Sequence, residues 1–226
     1  MPASRLHLVR HGEVFNPEHV LYGRLPDYHL SEAGRGMARA AAEHVRGLGR
    51  PVALLRCSPL ERTQESAAPF AELFGLTPAI EERIIEPTNV FEGRRMSRAL
   101  RNPVNWWHLR NPSMPSWGEP YRSIADRMLA AMDDAWDAVG DASTGSATRR
   151  DGSLSLSKGR GDVVLVSHQA PIWIAHLAVA GIRLRHDPRT RRCVLSSVTS
   201  FERVGDVWRE VAYAEPAASG IDLGAV

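Results

Sequence analysis

Residues 163–166, Val-Val-Leu-Val, are apolar without a break. A strand with one wet face alternates apolar and polar residues, so this run points to a central parallel strand covered on both faces. Helices must then flank the sheet on both sides, and the rest of the chain supplies them. Short apolar segments at Leu6–Val9 and Val52–Cys57 alternate with helical stretches. After Ser31, Met37, Ala41, Val45 and Leu48 recur at helical spacing; within 121–139, Ile124, Met128, Met132 and Trp136 do the same. Another helix is expected over Pro171–Ala180, closed by Gly181. Residues 194–202 and 207–213, joined across Gly205-Asp206, predict a terminal hairpin. The expected class is α/β: a three-layer α/β/α sandwich with a mostly parallel central sheet and a small insertion (cap) over its C-terminal edge.

At 226 residues and 43% hydrophobic content the chain can bury a full core, and a single domain over 1–226 is expected. Three stretches depart from the alternation. Residues 87–120, broken by Arg, Pro and the tryptophans Trp106, Trp107 and Trp117, are expected as the cap insertion. Residues 140–161, polar and rich in Gly and Ser, predict a mobile loop, and 215–226 a loose tail. A net charge of +2 argues against nucleic acid or a membrane as the main partner. Cys57 and Cys193 offer neither zinc spacing nor a disulfide framework, and Cys57, ending an apolar strand, is expected as a buried thiol. With no long apolar leader and no segment of membrane-spanning length, the cytoplasm is the expected location.

The residues able to do chemistry gather where strands end. Arg10-His11-Gly12-Glu13 follows the first strand. Ser58-Pro59-Leu60-Glu61 predicts a helix start with Ser58 as the N-cap, placing Arg62 in the first turn and Ser66 one turn on. Residues 78–86 predict a strand ending in Glu86, and Ser167-His168 ends the fourth. A basic side chain and a histidine before a permissive glycine suit an anionic ligand, at the edge where open α/β sheets bind ligands. Singly, each has an ordinary reading: Arg62 as a solvated helix residue, Glu86 as an exposed strand terminus, His168 as a core histidine. His7 and His11 share a strand face but stand about 13 Å apart, too far to chelate one metal ion. No Walker or dinucleotide-binding glycine pattern occurs.

Six segments in order, LVRHGE (8–13), GRLPDYHLSEAGR (23–35), SPLERTQESA (58–67), IIE…FEG (84–93), PSWGEPY (115–121) and VVLVSHQ (163–169), give the chain its resemblance. Over nearly its full length it resembles the histidine phosphatase superfamily, which includes the cofactor-dependent phosphoglycerate mutases. The resemblance implies phosphoryl transfer through a covalent phosphohistidine, with His11 as nucleophile and Arg10, Arg62 and His168 as the phosphate clamp. Glu86 matches the general acid, with Glu92 and Glu119 as nearby rivals. Asn16 arrives one residue before the family's usual asparagine, and Gln169 replaces the usual glycine after the second histidine; both are expected as phosphate contacts. Gly118-Glu119-Pro120 stands where Gly-Glu-Ser is common. The implied activity is a metal-independent phosphomonoesterase acting on a small organic phosphate, with no cofactor. A mutase-type transfer and a non-catalytic phospholigand-binding regulator are the alternatives. The expected partner is the small phosphorylated substrate; oligomeric state, a homodimer included, stays open.

Overall fold

The computed structural model describes residues 4–109, 118–141 and 161–217. Six strands, β1 (Leu6–Arg10), β2 (Val52–Cys57), β3 (Ala79–Ile80), β4 (Asp162–Ser167), β5 (Val198–Val204) and β6 (Val207–Ala214), form one sheet in the order β3-β2-β4-β1-β5-β6. The first four run parallel; β5 is antiparallel to β1 and to β6. Helices α1 (Glu32–Gly47), α2 (Glu61–Phe74), α3 (Met96–Ala99), α4 (Tyr121–Asp141) and α5 (Gln169–Val179) complete the fold, with 3-10 turns at Glu82–Ile84, Pro103–Leu109 and Pro188–Thr190.

The apolar run in β4 divides between two cores. Val163 and Leu165 pack with Ile124, Met128, Met132 and Trp136 of α4 and with Ile172 of α5. Val164 and Val166 pack with Ala41 and Val45 of α1 and Phe70 of α2. Strand side chains alternate faces, so both faces of β4 are dry, as the sequence requires. The chain leaves β1 and β2 toward one face and β4 toward the other. Adjacent β1 and β4 therefore part at their C-terminal ends, the crevice where doubly wound sheets take their ligands. Among the described residues no helix is long and apolar enough to cross a membrane.

Local detail departs from expectation at three places. In α1 the buried stripe is Gly34, Ala38, Ala41, Ala42 and Val45, while Leu48 is exposed. Leu48 is the C-cap residue, beyond the last helical residue Gly47, so it lies past the face that α1 buries. The strand expected over 78–86 lasts only two residues. Glu81 accepts from the Arg83 amide and pairs with the Arg56 and Arg83 guanidiniums, turning the chain into a 3-10 turn, so Glu86 follows in a loop. Ser58 does not cap α2; the N-cap is Leu60, without a side-chain bond. The segment after Glu86 is tied to the β1–α1 loop by backbone bonds Leu21–Arg94 and Gly93–Leu21, and leaves Trp106 and Trp107 exposed. Trp117, most of the 140–161 loop and the end of the tail lie outside the described residues.

Candidate active site

Register builds the site. Arg10 pairs with Ser167 at the parallel ends of β1 and β4, and the His11 amide donates to the Ser167 carbonyl at 3.1 Å. His11 and His168 thus leave the sheet side by side, their rings edge-to-face with centroids 5.3 Å apart. On the far side of β4, the Ser58 amide donates to the Val166 carbonyl at 3.0 Å, which brings Ser58 beside His168. Close approach of the backbones follows from two glycines. A Cβ on Gly12 would stand 2.2 Å from the Gly34 carbonyl oxygen, and one on Gly34 only 2.0 Å from that of Glu13. The first turn of α1 thereby seats directly on the loop carrying His11.

Hydrogen bonds define the two imidazoles. His11 Nδ1 donates to the Gly12 carbonyl at 2.8 Å, so Nε2 keeps its lone pair. His168 Nε2 bonds the Ser58 hydroxyl at 2.8 Å; its Nδ1, without a hydrogen-bond partner, faces Glu86 Oε2 at 3.9 Å. Burial, then the charge of Arg62, holds both rings well below the usual histidine range, and Arg10 adds to the effect. Both are neutral imidazoles near pH 7.

The arginines are fixed at one end and open at the other. Arg10 Nη1 donates to the Cys193 carbonyl at 2.6 Å, leaving Nε buried without a partner. Arg62 is 0% exposed; its Nη2 donates to the Gly23 carbonyl at 2.6 Å, while Nε and Nη1 have no partner. Tyr22 lies under that guanidinium at 4.8 Å and stacks on Tyr28. A buried charged donor left unpaired is costly, so open N–H groups on two neighbouring guanidiniums mark a place shaped for an anion.

Five expected residues, Arg10, His11, Arg62, Glu86 and His168, come together here. Glu86 remains partly open, its side chain 20% exposed. Burial pushes its carboxyl above the usual range, opposed by Arg191, Arg62, Arg10 and Arg127. The rivals are engaged elsewhere. Glu92 accepts the Arg24 and Asn89 amides through Oε1, and Glu119 takes the Arg127 guanidinium with both oxygens. Gln169 stands at the edge, its amide 3.5 Å from the Cys193 carbonyl that also receives Arg10. Asn16 is drawn into its own loop: its Nδ2 donates to the Val20 carbonyl and its Oδ1 accepts the Val20 amide.

Sequence reasoning missed Ser58, Tyr22 and Arg191 as members of this cluster. Ser58 was hidden by a proline-led helix start that imitates a cap. Tyr22 lies in an aperiodic loop, and Arg191 is one of many arginines. Only Ser66 carried a signal, by sitting one turn after Arg62; its hydroxyl accepts the Gly12 amide at 3.1 Å and donates to the Arg62 carbonyl.

Comparison with known proteins accords with this geometry. The fold superposes on the mycobacterial glucosyl-3-phosphoglycerate phosphatase Rv2419c with a TM-score of 0.68 at 23% identity, covering 92% of this chain and 97% of that one. It also superposes on a phosphoserine phosphatase variant from Entamoeba histolytica, with a TM-score of 0.70 at 17% identity and coverage of 94% and 97%. The uncharacterized protein Rv0525 of Mycobacterium tuberculosis is 44% identical over 219 residues, 95% of this chain and 98% of that protein. A family model, that of branch 1 of the histidine phosphatase superfamily, matches residues 6–216. With strand order, site and sequence in agreement, this chain belongs to the histidine phosphatase superfamily.

Proposed function

We propose that the chain is a phosphomonoesterase that hydrolyses a small organic phosphate through a phosphohistidine at His11. One observation carries the reading: His11 presents an unprotonated Nε2 within the field of two guanidiniums whose buried N–H groups lack partners. In the first step Nε2 attacks phosphorus, the ester P–O bond breaks, and the departing oxygen keeps the electron pair and takes the Glu86 proton. Arg10, Arg62 and His168 hold the phosphoryl oxygens, and the arginines balance their charge without a metal cofactor. In the second step water gives a proton to the Glu86 carboxylate as its oxygen attacks phosphorus. The P–N bond breaks, its electron pair returns to Nε2, and inorganic phosphate leaves. That the two solved relatives compared above are phosphatases supports the same reaction class.

The test is phosphate release across sugar phosphates, phosphoglycerates, nucleotides and phosphoproteins, combined with trapping of the phosphoenzyme. An acid-labile, base-stable phosphoprotein is expected in wild type and absent in a folded His11→Ala variant, whose kcat should fall about a thousandfold or more. Normal turnover by that variant would end the reading. With 3-phosphoglycerate, efficient isomerisation without phosphate release would replace the phosphatase by a mutase.

A further inference from the structure

Glu86 sits where the sheet no longer holds the chain. Pairing between β2 and β3 ends at Ile80, and the chain then runs through the 3-10 turn at Glu82–Ile84 into a loop. Backbone groups beyond a ladder must find partners elsewhere. Here three side chains from three separate elements supply them. Arg127 Nη1 of α4 donates to the Arg83 carbonyl at 2.5 Å, and the Ser167 hydroxyl at the end of β4 donates to the Ile84 carbonyl at 2.6 Å. The third is Arg24 of the β1–α1 loop, whose Nε donates to the carbonyl of Glu86 itself at 2.5 Å.

Arg24 is the member that ties this loop to the phosphate clamp. The carbonyl of the preceding residue, Gly23, receives Arg62 Nη2 at 2.6 Å, so two consecutive residues touch the clamp and Glu86. That dipeptide is itself fixed. The Arg24 amide donates to Glu92 Oε1 at 3.1 Å, and Gly23, at a φ of +43°, lies so close that a Cβ on it would stand 2.1 Å from the same oxygen. The guanidinium has an anchor of its own. Arg24 Nη2 lies 3.9 Å from Glu119 Oε2, and Glu119 takes Arg127 Nε and Nη2 at 2.8 and 3.1 Å. Glu92 and Glu119 thus brace Arg24 at its amide and at its guanidinium.

We propose that Arg24 is the positioning residue for Glu86: the bond from Nε to the Glu86 carbonyl sets how far the acid stands from the phosphoryl group that Arg62 holds. This rests on the phosphohistidine reading above. A general acid works only within hydrogen-bond reach of the oxygen it protonates, and a misplacement of about 1 Å can cost a hundredfold in rate. The role belongs to one atom. A glutamine carries an N–H donor as many bonds from Cα as Arg24 Nε, whereas a methionine has a methyl group there. A lysine has a methylene at that place and its charge one bond farther on. Replacement is mild for the fold, since the Arg24 side chain is 34% exposed.

The experiment compares wild type, Arg24→Gln, Arg24→Met, Arg24→Lys, Glu86→Gln and the Glu86→Gln/Arg24→Met double variant, with p-nitrophenyl phosphate and glycerol 3-phosphate as probes. Phosphoenzyme formation is timed for each, and circular dichroism with thermal melting confirms folding. In Arg24→Met, formation from the alkyl phosphate should slow roughly tenfold and that from the aryl phosphate less than about twofold, because a good leaving group needs little protonation. Arg24→Gln should restore most of the alkyl rate; Arg24→Lys should not. Adding Arg24→Met to Glu86→Gln should cost little more, because the group it serves is already gone. Equal slowing of both probes in a folded Arg24→Met variant, rescue by lysine but not by glutamine, or full additivity in the double variant would overturn the inference while leaving the phosphohistidine intact. If Arg24→Met does not fold, the contrast between glutamine and lysine decides alone. An equal effect of Glu86→Gln on both probes would instead remove the acid assignment beneath the inference, and failure of wild type to form a phosphoenzyme would remove the whole underlying reading.

Discussion

A histidine attacks phosphorus only through an unprotonated ring nitrogen, and at His11 two features secure one. The Gly12 carbonyl holds the proton on Nδ1, while burial and two arginines disfavour a second proton. The same arrangement costs stability in acid. His11 and His168 bind a proton more weakly folded than unfolded, so below about pH 6.5 the unfolded chain takes up more protons and stability falls with pH. Urea unfolding midpoints measured from pH 7.5 to 5 should therefore drop, and the drop should be smaller in a folded His168→Gln variant. A flat profile in wild type would show that these rings protonate in the folded state. The acid role proposed for Glu86 has its own signature. Glu86→Gln should slow phosphoenzyme formation from an alkyl phosphate about a hundredfold, but that from an activated aryl phosphate far less, since a good leaving group needs little protonation. Equal losses would move the acid role to Glu92 or Glu119.

At the scale of elements, the loop carrying His11 owes its position to the seat of α1. Ser31 caps that helix through the Gly34 amide and donates from its hydroxyl to Glu13, so helix start and His11 loop are one unit. In an ordinary helix interior Gly→Ala stabilises by about 1 kcal/mol. At Gly34 the sign should reverse, because the new Cβ meets backbone, at Glu13, that cannot swing away. Gly34→Ala should cost about 1–3 kcal/mol and lower kcat by displacing the loop that carries His11. Thermal unfolding and turnover on the same preparation check both parts. A stabilised, fully active variant would mean that the helix slides freely on the loop.

On the scale of the whole molecule, the end of the sheet opposite the site is held by a buried polar network. His7 bonds Ser200 at 2.8 Å and Asp162 at 3.3 Å, and Arg50 grips both Asp162 oxygens at 2.8 and 3.0 Å, joining β4, β1, β5 and the start of β2. Burial raises the Asp162 carboxyl, but the His7 and Arg50 bonds outweigh it and hold the group below its usual range. That stabilisation is present above the ordinary aspartate range and is lost as pH falls through the lowered folded value. Asp162→Asn should cost about 2 kcal/mol, discounted because Arg50 is partly exposed, and lower the melting temperature by about 4–8 °C. kcat per folded molecule should hold, since the network lies away from the site; a proportionate loss of kcat would show that the two ends are coupled. Much of this architecture was legible beforehand. The unbroken apolar run of β4, the 124–136 stripe and the strand-end histidines depend on period and composition, which are local properties of a sequence. From them followed the three-layer sandwich, whereas Arg10, His11, Arg62 and His168 were singled out by the ordered motifs that carry the family resemblance. Other features depend on what a side chain meets across the fold. Ser58 could cap a helix or face a histidine, and the β2–β4 register made the choice. Asn16 could reach a ligand or its own loop, and Val20 took both of its amide groups. Glu86, Glu92 and Glu119 are alike as carboxylates along the chain; only the arginines and amides folded around them made their environments different, because charge and burial act through space rather than along the backbone.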